Sequence, residues 1–114
     1  MEVKADSYRV DYNAETITIS FQGSLRLSGV EEYEPIVNLL NQVAEQNHET
    51  ITLDLKALEF LNSSGISMLS KFVINIRKQK TSNIFVKGSQ AIPWQGKSLK
   101  NLQRLMPTLT LEFE

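Results

Sequence analysis

Apolar and polar residues alternate over Tyr8–Tyr12 and again over Thr16–Phe21, the period of a half-buried strand, and Asn13–Glu15 between them suits a short hairpin loop. Gly23–Gly29 then reads as a loop, and Ser28 followed by Glu31 matches a capping box at a helix start. From there the period lengthens. Tyr33, Ile36, Val37, Leu40, Val43 and Ala44 recur at three and four, which predicts a helix to about Gln46 with one buried face. Pro35 is tolerated best in a first turn, so the helix begins between the Ser28 cap and Glu34. Thr50–Leu55 alternates and is β-branched, which predicts a strand; Lys56–Leu61 leads from it into a second helix over Ser64–Gln79. Asn83–Lys87 is a further strand, ended by Gly88. After a loop over Ser89–Gly96, Leu99, Leu102, Leu105 and Met106 set a third helix over Ser98–Met106, closed by Pro107, and Leu109–Phe113 is the last strand.

The resulting order, β-β-α-β-α-β-α-β, predicts an α/β fold: a single-layer, mixed and largely parallel sheet with helices packed against it. No repeat, linker or low-complexity stretch interrupts the pattern, and one domain over residues 1–114 is expected.

Composition narrows the chemistry. At 41% hydrophobic and 22% charged residues the chain is ordinary for a globular domain. The absence of Cys excludes a disulfide framework and thiolate chemistry, and a lone His48 excludes a histidine cluster, leaving carboxylates as the only metal donors; no metal or cofactor is expected. The first residues lack an apolar signal core, and no run approaches the roughly 18 apolar residues of a membrane span, so a cytoplasmic protein without membrane contact is expected. Charge is uneven: residues 1–57 hold ten acidic against four basic side chains, and residues 58–114 hold three against eight. The basic half carries no cationic run interleaved with aromatics, so the asymmetry reads as a solvated surface and direct DNA binding is not expected.

The stretch FLNSSGISML, Phe60–Leu69, sets three small polar residues and a glycine at the start of the second helix. Asn62, Ser63 and Ser64 are all good N-caps, and capping needs no function. Gly65 is a weak helix former by about 1 kcal/mol against Ala, which suggests that a side chain there would obstruct something, an approaching partner being one candidate. On a helical wheel the core residues Ile66, Leu69, Phe72, Val73 and Ile76 leave Ser64, Ser67, Lys71, Ile74, Asn75 and Lys78 on the other side. A phosphate on Ser63 or Ser64 would meet the positive end of the helix dipole and be tolerated by the fold, while repelling an apolar or acidic partner. The residues therefore leave two readings open, a cap and a reversible switch.

LDLKALEFLNSSGISMLSKFVINIRKQ resembles the central segment of the STAS family, the sulfate transporter and anti-sigma factor antagonist domains. Leu53-Asp-Leu55 and Asn62-Ser-Ser-Gly65 stand where that family has a buried strand ending in Asp-Leu and an Asp-Ser-Ser-Gly helix start. The element order agrees over nearly the whole chain, the motif over about residues 50–80. The resemblance implies phosphorylation of the second serine, Ser64, with Ser63 as second choice. The modifying enzyme would be a serine protein kinase or anti-sigma factor of the histidine-kinase-like ATPase type, countered by a PP2C-type phosphatase, in a bacterial partner-switching pathway of signal transduction. The partner-binding surface it implies comprises Asn62, Ser63, Ser64, Gly65, Ser67, Met68, Lys71 and Ile74, and the domain is itself no enzyme. Two departures stand out: Asn62 replaces the family's aspartate, and no helix follows the last strand.

Other readings remain in view. A constitutive docking or ligand-sensing domain needs no phosphorylation and no sigma factor. Catalysis lacks a base for the serines, because His48 lies near the predicted start of the third strand, and no G-x-S-x-G elbow is present. Trp94 is either a lid over the core or an exposed anchor, with the lid preferred because Trp is highly buried on average. Lys97, Lys100 and Arg104 recur at three and four, as a solvated helix face or an anion-binding stripe.

Overall fold

Residues 1–114 are all described by the computed structural model, in which the alternating segments form one six-stranded sheet. Its strands are β1 (Glu2–Lys4), β2 (Tyr8–Asn13), β3 (Thr18–Leu25), β4 (Thr50–Leu61), β5 (Asn83–Gly88) and β6 (Thr110–Phe113), side by side in chain order. The first three are antiparallel and β3 to β6 are parallel. Helices α1 (Gly29–Glu45), α2 (Ser63–Gln79) and α3 (Gln95–Leu105) make the three crossovers. Right-handed crossovers that each step the sheet in the same direction put every helix on one face, and α2 packs between α1 and α3. Ile19, Phe21, Ile51, Leu53, Leu55, Ile84 and Val86 point into that layer and are fully buried. The opposite face is polar, with Arg9 paired to Glu2 at 2.7 Å and Lys56 to Glu114 at 3.4 Å.

The mixed, largely parallel α/β fold expected from the sequence is the one observed, with β1 added. Three residues are too few for alternation to show. β4 corrects the expectation most, because it runs on through Lys56–Leu61, the segment read as a lead into the helix. Beside β3 it carries register shifts between Ser20 and Gln22 and between Gly23 and Ser24. These bulges change the buried spacing from Ile51, Leu53, Leu55 to Leu58, Leu61, so the period of two stops although the strand does not. β3 likewise continues to Leu25, through part of the expected loop.

Helix starts differ too. Ser28 makes no side-chain cap; its backbone N–H donates to Glu32 Oε2 at 3.0 Å, one residue beyond the Glu31 of the expected capping box. Helix α1 begins at Gly29, so Pro35 lies inside it. The carbonyl of Glu31 thereby loses its helical donor, and both residues are exposed, which lets water replace the bond. Helix α3 begins at Gln95, three residues ahead of the expected Ser98.

Candidate functional site

The serine turn follows β4 directly. Asn62 has extended backbone and its Oδ1 accepts the Gly65 N–H at 2.9 Å, so Asn62 is the cap of α2. The same oxygen accepts the Tyr33 hydroxyl at 2.7 Å, and Nδ2 donates to the Leu27 carbonyl at 2.8 Å. One side chain thus ties α2 to α1 and to the segment leaving β3. Only an amide serves all three bonds, since a carboxylate would turn an oxygen toward the Leu27 carbonyl with no proton between them. The capping question left open among Asn62, Ser63 and Ser64 is answered by this geometry, and neither serine is spent on the cap. Ser63 is exposed and Ser64 half-buried, with no acidic side chain in the first turn of α2.

Gly65 is explained from inside. A Cβ there would collide with the Leu61 side chain and stand 2.7 Å from the Tyr33 hydroxyl. Gly65 is buried, so a side chain there would obstruct, as expected, but what it would meet is the protein's own packing and not an approaching partner. The close approach is between α2, the end of β4 and α1.

Tyr33 is 2% exposed. Burial pushes its phenol above the usual 10.0, outweighing an opposing backbone hydrogen bond at Leu27, with smaller upward contributions from Tyr8 and Glu32. Below the unfolded tyrosine's pKa this environment contributes nothing pH-dependent; above it the unfolded chain loses the proton first, and stability falls until pH passes the folded value. In urea unfolding followed above about pH 9, the midpoint is therefore expected to drop with rising pH, and Tyr33→Phe is expected to flatten that part of the slope.

Between α1 and α2 runs an open groove of roughly 270 Å³. α1 contributes Val30, Tyr33, Val37 and Leu40; α2 contributes Ser64, Ser67, Met68, Lys71 and Phe72; Asn41 and Asn75 lie toward its far end. Four sequence-expected contact residues, Ser64, Ser67, Met68 and Lys71, therefore converge here. Met68 is only 6% exposed and forms part of the groove wall. Asn62 anchors the helix behind the groove, Ser63 stands exposed beside it, and half-buried Ile74 is not among the groove residues. The α1 wall was not legible as a surface: Val37 shares the helical period of the core, and Val30 continues that spacing toward the N-terminus while being 74% exposed.

At the other flank of α2, Trp94 donates from Nε1 to the Leu58 carbonyl at 3.1 Å and packs against the core, as a lid. Gln95, which the sequence pattern places in a loop, is fully buried; it donates from Nε2 to the Leu55 and Leu58 carbonyls at 2.7 and 3.0 Å, and its Oε1 accepts the Ser89 N–H at 2.8 Å. Lys97, Lys100 and Arg104 are exposed. His48 sits at the opposite end of β4 from the serines, its Nε2 2.7 Å from Gln46 Oε1.

A family model described as the STAS domain matches residues 13–92. A comparison with curated proteins finds no match. Among solved structures, a chain in the crystal structure of the diguanylate cyclase SiaD in complex with its activator SiaC from Pseudomonas aeruginosa superposes with a TM-score of 0.75 at 10% identity, covering 100% of this chain and 99% of that one. Apo-SiaC from the same organism gives 0.71 at 9% identity, covering 100% and 98%. An anti-sigma factor antagonist from Mycobacterium paratuberculosis gives 0.69 at 19% identity, covering 96% and 90%. At these identities the likeness is one of fold.

Proposed function

The chain belongs to the STAS domain family, and from that premise we propose that it is an anti-sigma factor antagonist-like interaction module whose partner binding is switched by phosphorylation of Ser64. The observation that carries this reading is the division of labour in the serine turn. Asn62 alone caps α2, so Ser64 is free of that duty and stands at the end of the groove between α1 and α2. A phosphate on Ser64 would lie in the first turn of α2, beside free backbone N–H groups and without an acidic neighbour in that turn. The fold tolerates the dianion there. A partner seated over the groove would instead meet two negative charges beside an apolar wall and lose affinity through repulsion and desolvation.

The cognate enzymes in this reading are a serine protein kinase or anti-sigma factor of the histidine-kinase-like ATPase type and a PP2C-type phosphatase. The domain itself works by binding. His48 is at the far end of β4, and the serine turn holds no base to activate a hydroxyl. No helix is long and apolar enough to cross a membrane.

Two measurements test the proposal. Phosphosite mass spectrometry on the protein from its native cells under two growth conditions is expected to find phosphate on Ser64 that changes between them. In titrations against the partner retrieved with the Ser64→Ala protein, Ser64→Asp is expected to bind at least about tenfold more weakly than Ser64→Ala. Equal affinities would overturn the switch and favour constitutive docking, the reading in which the serines have no regulatory part.

A further inference from the structure

The groove has a shape that names its occupant. α1 and α2 both return antiparallel to the parallel strands they connect, so they run side by side in the same direction. Along α1 the wall residues Val30, Tyr33, Val37 and Leu40 are spaced three, four and three, which is the seam spacing of one helix packing on another. Along α2 the groove extends from Ser64 to Asn75. At 1.5 Å per residue each wall is about 16 Å long, or three helical turns. The walls are apolar near the middle, small at the serine end and polar at the asparagine end. Val30 is 74% exposed at the rim, and an apolar side chain so placed gains most from a partner that covers the whole length.

Charge adds a second requirement. The four ion pairs of the protein use Arg9 and Lys56 only, so Lys71 faces the groove with no carboxylate within bonding range. We propose that this groove seats an amphipathic helix of a partner protein, its apolar stripe packed between Val30 and Met68 and an acidic side chain paired with Lys71. An open trough of uniform length, flanked by parallel helices and bearing one unneutralised cation, fits a helix laid in it as a third member. The inference rests on the reading above only in placing the partner on the face that carries Ser64.

The test uses two synthetic helical peptides of roughly fourteen residues, about 21 Å long. Both carry leucines at three- and four-residue spacing; one presents Glu and the other Lys toward Lys71. Amide shifts of the full chain are followed by NMR during titration. Shifts confined to the facing sides of α1 and α2, with tighter binding of the Glu peptide, are expected. Lys71→Glu is expected to reverse the preference, by about three- to fivefold, and Val30→Asn to weaken both peptides at least about fivefold without disturbing the rest of the spectrum. No binding at millimolar peptide, shifts centred on the polar sheet face, or displacement of the peptides by a medium-chain fatty acid at lower concentration would overturn the helix as occupant. The two proposals fail separately. Peptide binding at the groove with no effect of Ser64→Asp on the natural partner removes the switch alone; a Ser64 effect without groove binding removes the groove alone.

Discussion

Replacing Gln95 with leucine is expected to destabilise the protein by about 3 kcal/mol. β5 pairs with β4 only as far as Asp54, opposite Lys87, so the β4 carbonyls beyond that point have no strand beside them on that side. Gln95 stands in for the missing strand by donating to Leu55 and Leu58, and it also satisfies Ser89. Leucine fills the same space but leaves the buried Leu55 carbonyl and the half-buried Ser89 N–H without partners, at about 1–3 kcal/mol each with Ser89 at the low end. Leu58 keeps the Trp94 indole. Urea unfolding followed by the fluorescence of Trp94, the single tryptophan, measures the loss directly. A cost under about 1 kcal/mol would mean that water reaches these groups and that the clamp is not what completes the sheet.

Asn62→Ala is expected to cost a similar amount, about 3 kcal/mol, from two sources. Losing the cap costs about 1 kcal/mol, and leaving the buried Tyr33 hydroxyl without an acceptor adds about 1–3 kcal/mol. Asn62→Asp restores the residue of the family motif and separates the two roles of the side chain. Its carboxylate keeps both acceptor bonds and suits the helix start, but faces the Leu27 carbonyl where the amide donates at 2.8 Å. The expected order in chemical denaturation is wild type, then Asp by about 1 kcal/mol, then Ala. Equal stability of Asp and Ala would sink the assignment of Oδ1 as the shared acceptor. Tyr33 belongs both to this network and to the groove wall, so the α2 cap and the proposed docking surface share a side chain.

The sequence hides the importance of Gln95 altogether, and for Asn62 it hides only which contacts the side chain makes. The alternation of Tyr8–Tyr12 and of Thr50–Leu55 and the three-and-four spacing in α1 and α2 were enough to order most of the elements, because burial on one face imposes a period that composition alone reveals. The same periods identified FLNSSGISML as a polar interruption at a helix start, and the STAS resemblance rested on that segment. Local rules stopped where tertiary geometry broke the period. Bulges against β3 hid the second half of β4, and the carbonyls freed there gave Gln95 a purpose no pattern within its own segment could express. Which residue of Asn-Ser-Ser caps α2 was equally undecidable from spacing, because all three are good caps; the Tyr33 hydroxyl and the Leu27 carbonyl, distant in the chain, select the one side chain able both to donate and to accept. The groove depends on two helices being brought parallel by crossovers of the same hand. Sequence by itself thus determined most of the elements, their order and the serine turn, while the assignment of the cap, the reason for Gly65 and the gathering of Val30 and Lys71 along one trough arose only when distant segments met.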